Sequence, residues 1–71
     1  MQLKAQMPPS IKVLDGICVG DTVRVDDGIT TDEGVVVIIN PHLETPYGVV
    51  YPWDVTSNPW YYEKKEIERV G

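Results

Sequence analysis

The chain has 71 residues, 42% of them hydrophobic, and a net charge of −5. This length allows one domain with a small core, because a chain of this size buries only about 60% of its unfolded surface, and it leaves little room for a deep substrate cavity. Residues 13–63 carry nine acidic side chains against one basic side chain, Arg24, which argues against a phosphate-binding face for nucleic acid.

The single cysteine, Cys18, cannot form an internal disulfide, and its neighbours Ile17 and Val19 predict that it is a small buried residue. The longest apolar run, residues 34–39, is far too short to span a bilayer, and the N-terminal residues lack the apolar stretch of a signal peptide. We therefore expect a soluble cytoplasmic protein without membrane association.

The start of the chain is a poor contributor to a core. Two consecutive prolines at 8–9 block a helix and favour extended backbone, so we expect residues 1–9 to form a flexible N-terminal arm. Residues 10–71 are then predicted to form a single small β-barrel domain. Apolar side chains alternate over residues 3–7, which leaves open that the arm adds an edge strand.

An extended segment opens the domain and is interrupted by Asp15-Gly16, a dipeptide typical of tight turns. Over residues 22–26 apolar and polar side chains alternate. This period of two predicts a strand with Val23 and Val25 pointing inward.

Residues 26–33 are rich in acidic side chains and are predicted to form a turn or loop, in which Gly28 can adopt a positive φ. Gly34 is followed by five β-branched residues, which do not fit a helix and predict a strand buried on both faces. Asn40-Pro41 ends this strand, because proline cannot donate to a sheet ladder.

The second half of the chain predicts further short strands at 47–51, 60–62 and 67–70, with a single helical turn at 63–66. The count is five short strands, which predicts an all-β fold: a small five-stranded antiparallel barrel that hides its sheet edges. A two-layer α+β domain would need an amphipathic helix of about ten or more residues, and no segment offers one.

Several segments together resemble small Src-homology-3-type barrels. They are GDTVRV (20–25), Gly28, GVVV (34–37), YGVVY (47–51) and WYYEKKEIERV (60–70). The first half is similar to KOW modules, and the second half to photosystem I subunit IV-type accessory barrels and small phage-encoded barrels. The resemblance implies a small barrel that docks another macromolecule. The acidic residues of segment 26–33 stand where KOW modules typically carry basic ones, which disfavours nucleic acid as the partner.

No set of residues predicts catalysis, a metal site or a cofactor. His42 is the single histidine and has no second histidine or cysteine nearby to complete a zinc site. Nothing in the spacing links it to Ser57 and Asp54 as a catalytic triad. The carboxylates within 26–33 lack the spacing of a calcium loop. We therefore expect a protein that is not an enzyme.

All the aromatic residues, two Trp and four Tyr, lie between positions 47 and 62. Some of them are expected to fill the core, with Tyr51, Trp60 and Tyr62 as candidates. Trp53 and Tyr61 are expected to be at least half exposed, because Trp53 follows Pro52 in a loop and Tyr61 points away from its neighbours by strand alternation. The predicted partner-binding residues are Trp53, Tyr61, Tyr47, Asp26, Asp27, Asp32 and Glu33.

These patterns favour a non-enzymatic protein-interaction module, a small accessory or phage-type protein that docks a protein partner through exposed aromatic residues and the acidic loop. Two alternatives stay open. One is a KOW-like, nucleic-acid-associated barrel, and the other is an acidic mimic of nucleic acid that inhibits a host DNA-binding protein. We expect a monomer or a weak homodimer, since a barrel edge or the arm 1–9 could pair two copies.

Overall fold

The computed structural model describes residues 10–26, 28–29 and 31–70. The predicted arm 1–9 lies outside the described residues. The described part of the chain forms seven strands and one 3-10 turn, and it contains no helix long and apolar enough to cross a membrane. In chain order the elements are β1 (Val13–Leu14), β2 (Ile17–Cys18), β3 (Thr22–Asp26), β4 (Thr31–Ile39), β5 (Tyr47–Val50), β6 (Trp60–Tyr62), the 3-10 turn Lys64–Glu66 and β7 (Ile67–Arg69).

Five strands form one antiparallel sheet in the order β6-β5-β4-β3-β7, and β1 and β2 form a separate hairpin. The predicted all-β class, the five-stranded antiparallel sheet and the helical turn near the C-terminus are therefore confirmed. Strands β3 to β6 follow one another as a meander, and β7 returns to pair with β3. The edge strands β6 and β7 have three residues each and do not pair with each other in the described residues. The predicted barrel is thus not closed.

The β1–β2 hairpin turns at the predicted Asp15-Gly16 dipeptide, where φ is 51° and 81°. Positive φ at both central residues is the geometry that matches the twist of a two-residue hairpin, and Asp and Gly tolerate it. Ile17 points into the core, whereas Cys18 pairs with the exposed Val13. Cys18 is therefore only half-buried, which corrects the prediction that it is a buried residue.

The predicted acidic loop 26–33 is shorter than expected, because its two ends belong to strands. Asp26 ends β3 and pairs with Thr31, the first residue of β4. On the next outward-facing pair, the Arg24 guanidinium lies 3.6 Å from the Glu33 carboxylate and 3.9 Å from the carboxylate of Glu68 on β7. The one basic residue of segment 13–63 thus lies between acidic residues of both neighbouring strands, which favours extension of the strands to the turn.

Strand β4 contains a bulge that brings Val36 and Ile39, three residues apart, into the core. Both are 0% exposed, although strict alternation would place them on opposite faces. The pairing with β5 shifts between Val36 and Ile38, so Val37 is the extra residue. Val35 and Val37 lie on the outer face of the sheet and are 37% and 42% exposed. The prediction that β4 is buried on both faces is therefore wrong.

The core lies on one face of the sheet. Val23 and Val25 point into it, as their alternation predicts. Gly34 makes room for β5, since a Cβ at this position would lie 2.6 Å from the Val50 carbonyl oxygen and 3.1 Å from Cδ1 of Tyr51. The buried hydrophobic residues are Ile17, Val23, Val25, Val36, Ile39, Tyr47, Val49, Tyr51 and Ile67.

Substitution of Gly34 by alanine is expected to lower the free energy of unfolding by about 1–3 kcal/mol, because the new methyl group would overlap backbone atoms that cannot move without disturbing the β4–β5 ladder. Val37→Thr is the matched control, since Val37 is on the exposed side of the same strand. Denaturant unfolding of the two variants measures the difference. Equal stability of Gly34→Ala and the wild type would contradict this account of Gly34.

Tyr47→Phe is expected to lower the free energy of unfolding by about 1 kcal/mol, because it keeps the buried ring and removes one hydrogen bond. The Tyr47 hydroxyl donates to the Leu14 carbonyl oxygen at 2.9 Å and so connects β5 to the β1–β2 hairpin. Tyr61→Phe, at an exposed tyrosine, should change the stability by less than about 0.5 kcal/mol. A similar loss for both variants would contradict the prediction.

The Tyr47 hydroxyl should also make the stability of the fold depend on pH under alkaline conditions. Burial raises the pKa of Tyr47, and the Asp15 carboxylate raises it further. The unfolded chain therefore releases this proton first, at the ordinary pKa of 10.0. The contribution of Tyr47 to stability is full below that pH and decreases as the pH rises through the folded-state pKa. The wild type should consequently lose stability more steeply above pH 10.0 than Tyr47→Phe does.

Candidate functional site

The aromatic residues divide into a buried and an exposed group. Tyr51 is 6% exposed, and its hydroxyl lies 2.7 Å from that of the half-buried Tyr62. Both tyrosines therefore serve the core, as predicted. In contrast, Trp53 is 58% exposed and Trp60 is 52% exposed. The prediction for Trp53 is confirmed, and the suggestion that Trp60 fills the core is wrong, because Trp60 opens the edge strand β6.

Two contacts hold the indole of Trp53 in place. Its Nε1–H donates to Oδ2 of Asp32 at 2.8 Å, and its ring stacks on Tyr51 with the ring centres 5.0 Å apart and an angle of 19° between the planes. The other oxygen of Asp32 accepts the backbone N–H of Glu33 at 3.0 Å. The loop 51–59 is thereby attached to the start of β4 through a side chain that remains more than half exposed.

Trp60 is held by a second carboxylate, that of Asp54. Its indole Nε1–H donates to Oδ2 of Asp54 at 3.0 Å. The other oxygen, Oδ1, accepts the backbone N–H of Thr56 at 2.9 Å and its hydroxyl at 2.6 Å. These bonds close a turn inside loop 51–59, in which Ser57 adopts a φ of 58°.

The same hydrogen bonds keep Asp54 ionised. The hydroxyl of Thr56 lowers the pKa of the Asp54 carboxyl most, followed by the indole of Trp60 and the backbone N–H of Thr56. Hydrogen bonds of this kind favour the charged form of an acid. A fixed negative charge therefore lies beside Trp60 at neutral pH.

The sheet register places these groups on one side of the molecule. Trp60 pairs with Val49, and Asp32 pairs with Val25. Directly paired residues share a face, and both valines are buried in the core, so Trp60 and Asp32 lie on the core side of the sheet. We call Trp53, Trp60, Asp32 and Asp54 the indole–carboxylate surface.

The remaining predicted binding residues lie elsewhere. Tyr47 is 0% exposed, because it points into the core from β5, so its assignment to a binding surface is wrong. Tyr61 is 39% exposed, somewhat less than the predicted half, and pairs with Gly48 on the outer face of the sheet. Asp26 and Glu33 are also on the outer face, next to Arg24. Asp27 lies outside the described residues.

Of the predicted set, the structure thus brings together Trp53 and Asp32. Sequence analysis missed Trp60 and Asp54. A signal for Asp54 was present, since Asp54-Val55-Thr56 has the spacing with which an aspartate accepts a hydrogen bond from the backbone two residues on.

The indole–carboxylate surface offers flat apolar faces next to fixed negative charges. In the described residues no group of three or more His, Cys, Asp or Glu side chains could hold a metal ion. The arrangement is suited to binding apolar and positively charged groups, because indole faces attract both.

The carboxylate of Asp54 predicts an acid transition in loop 51–59. Because its pKa is lowered in the folded state, its stabilising contribution is present above the ordinary value of 3.8 and is lost as the pH falls through the folded-state pKa. The indole N–H resonance of Trp60 should report this transition in an NMR titration, with a midpoint below pH 3.8. Asp54→Ala should remove the transition, whereas Asp26→Ala should preserve it. A midpoint at or above 3.8 would contradict the hydrogen-bond geometry.

Comparison of the chain with family models, with curated proteins and with solved structures gives no match. The resemblance to Src-homology-3-type and KOW modules therefore remains a prediction. A function has to be inferred from the indole–carboxylate surface itself.

Proposed function

We propose that this chain is a non-enzymatic protein-interaction module that docks a protein partner through the indole–carboxylate surface. The observation that supports this best is the pair of tryptophans, each more than half exposed and each hydrogen-bonded to a carboxylate. Tryptophan is among the residues most enriched at the energetically important positions of protein interfaces.

Both tryptophan side chains are already held in one orientation, which makes them better suited to binding a partner. A free tryptophan loses rotamer entropy when a partner immobilises it, which costs about 0.5–1.5 kcal/mol per side chain. Trp53 is already held by Asp32 and Tyr51, and Trp60 by Asp54. Much of this cost is therefore met when the chain folds, and contact with a partner retains more of its favourable free energy.

Two further apolar residues are exposed in the segments that carry the indole–carboxylate surface or lead into it. Val55 is 96% exposed within loop 51–59, and Ile29 is 88% exposed in the turn between β3 and β4. Asp32, which binds Trp53, is the second residue of β4 after that turn. We include Val55 and Ile29 in the proposed docking region.

We further propose that the sheet is a variant of the Src-homology-3-type architecture. Two features support this: the four-strand meander with the last strand returning to the first, and the 3-10 turn directly before that last strand. Barrels of this type serve as docking modules for extended peptides, which agrees with a non-enzymatic role. The docking role itself is inferred from the indole–carboxylate surface, because a fold alone does not determine function.

Charge disfavours the KOW-like alternative. A surface that binds phosphate needs clustered lysine or arginine, and in segment 13–63 the single basic residue, Arg24, is paired with Glu33 and Glu68. The indoles are bordered by carboxylates, which repel a phosphate backbone. Stacking of bases on the tryptophans would have to overcome that repulsion.

Capture experiments from extracts of the source organism test the docking proposal. The wild-type chain should retain a protein after nuclease treatment, and Trp53→Ala or Trp60→Ala should weaken retention by about 2 kcal/mol, or roughly thirtyfold, as expected for a central tryptophan. Val13→Ala is the matched control, since Val13 is 52% exposed on the distant β1–β2 hairpin. Retention that is unchanged in both tryptophan variants, or that disappears with nuclease, would refute the proposal.

A further inference from the structure

We propose that the indole–carboxylate surface receives an arginine side chain from an extended segment of the protein partner. This inference rests on the proposed docking function and specifies the chemistry of its ligand. The guanidinium would lie on an exposed indole face with its N–H groups directed at the neighbouring carboxylate.

The carboxylates of this surface have no cationic partner among the described residues. In the part of the chain that the structure describes, Asp32 and Asp54 form no ion pair, and their hydrogen bonds come from neutral indole, hydroxyl and backbone donors. Arg24, in contrast, already has two acidic partners. Neither carboxylate is therefore balanced by a cation from the described residues.

The orientation of the indoles also suits a cation. Each Nε1–H donates to a carboxylate at the ring edge, while Trp53 and Trp60 remain 58% and 52% exposed. One face of Trp53 is covered by Tyr51. A cation on the remaining face gains attraction from the electrons of the ring and from the carboxylate at its edge, and both act in the same direction.

The carboxylate of Asp32 can accept more hydrogen bonds than it does within the chain. A carboxylate has about four acceptor positions, and each oxygen of Asp32 uses one. Asp32 can therefore accept further N–H donors without releasing Trp53. Arginine fits better than lysine, because its planar group can stack on an indole while it donates in the same plane to a carboxylate.

NMR titration of the full chain with short peptides tests the proposal. The probe is acetyl-Pro-Pro-Arg-Pro-Pro-amide, and the reference is the same peptide with citrulline, a neutral side chain of the same shape, in place of arginine. The arginine peptide should shift the indole N–H resonances of Trp53 and Trp60 and should bind at least about fivefold more tightly than the citrulline peptide. Raising the salt concentration should reduce this preference.

Asp32→Asn tests the charge separately from the shape. The asparagine oxygen can still accept the Trp53 indole N–H, whereas the negative charge is gone, so the preference for arginine over citrulline should decrease. Asp26→Asn, on the outer face, is the matched control and should preserve the preference.

Three outcomes would overturn the inference: equal binding of both peptides, no movement of either indole resonance at millimolar peptide, or tighter binding of a glutamate-containing peptide. The first of these leaves the docking function intact, because the indoles would still bind an apolar segment. Failure of the docking function itself is recognised in the capture experiment, by retention that does not depend on Trp53 or Trp60.

Discussion

The structure depends on how one sheet covers its own apolar face. The buried apolar residues of β3, β4 and β5, among them Val23, Val36 and Ile39, would face water if nothing covered them. The β1–β2 hairpin covers one end of this face, since Tyr47 bonds to Leu14 and Ile11 pairs with Ile39. At the other end, loop 51–59 places Trp53 against Tyr51, beside the entrance of β4.

The need to cover the core explains why the tryptophan side chains are exposed to solvent and yet held in one orientation. Trp53 must lie across the margin of the core to cover Tyr51, which leaves its outer half in water. If the tryptophans only covered the core, their hydrogen-bond acceptors would not have to be charged. A neutral amide or a backbone carbonyl could accept the indole N–H equally well. The use of aspartate at both positions, 32 and 54, is what separates a surface suited to ligands from a simple lid over the core.

The sequence predicts the parts of this fold that depend on neighbouring residues. The Asp15-Gly16 turn and the inward orientation of Val23 and Val25 follow from dipeptide conformation and from period-two alternation. The bulge in β4 could not be predicted, because it depends on the register between Val36 and its partner on β5, and six apolar residues in a row contain no signal for the extra one. The exposure of Val35 and Val37 depends on which parts of the outer face distant segments cover, and the local pattern does not contain that information.

In the candidate site, too, some features follow from neighbouring residues and others from the pairing of distant strands. The exposure of Trp53 follows locally from Pro52, whereas the face on which Trp60 and Tyr61 lie depends on pairing with Val49 and Gly48. The contact between Trp53 and Asp32 joins residues 21 positions apart and requires the antiparallel order of β4 and β5. Composition alone therefore indicates an aromatic and acidic surface without showing which carboxylate meets which ring.

The arrangement of the acidic residues bears on the alternative of a nucleic-acid mimic. Such a mimic needs a dense row of free negative charges, since duplex DNA carries about one per 1.7 Å of its axis. On the outer face Arg24 lies between Glu33 and Glu68 and interrupts any such row. On the core side, Asp32 and Asp54 each hold an indole. The acidic residues are thus distributed as partners of particular side chains, an arrangement that favours docking of a cationic protein segment over imitation of a phosphate backbone.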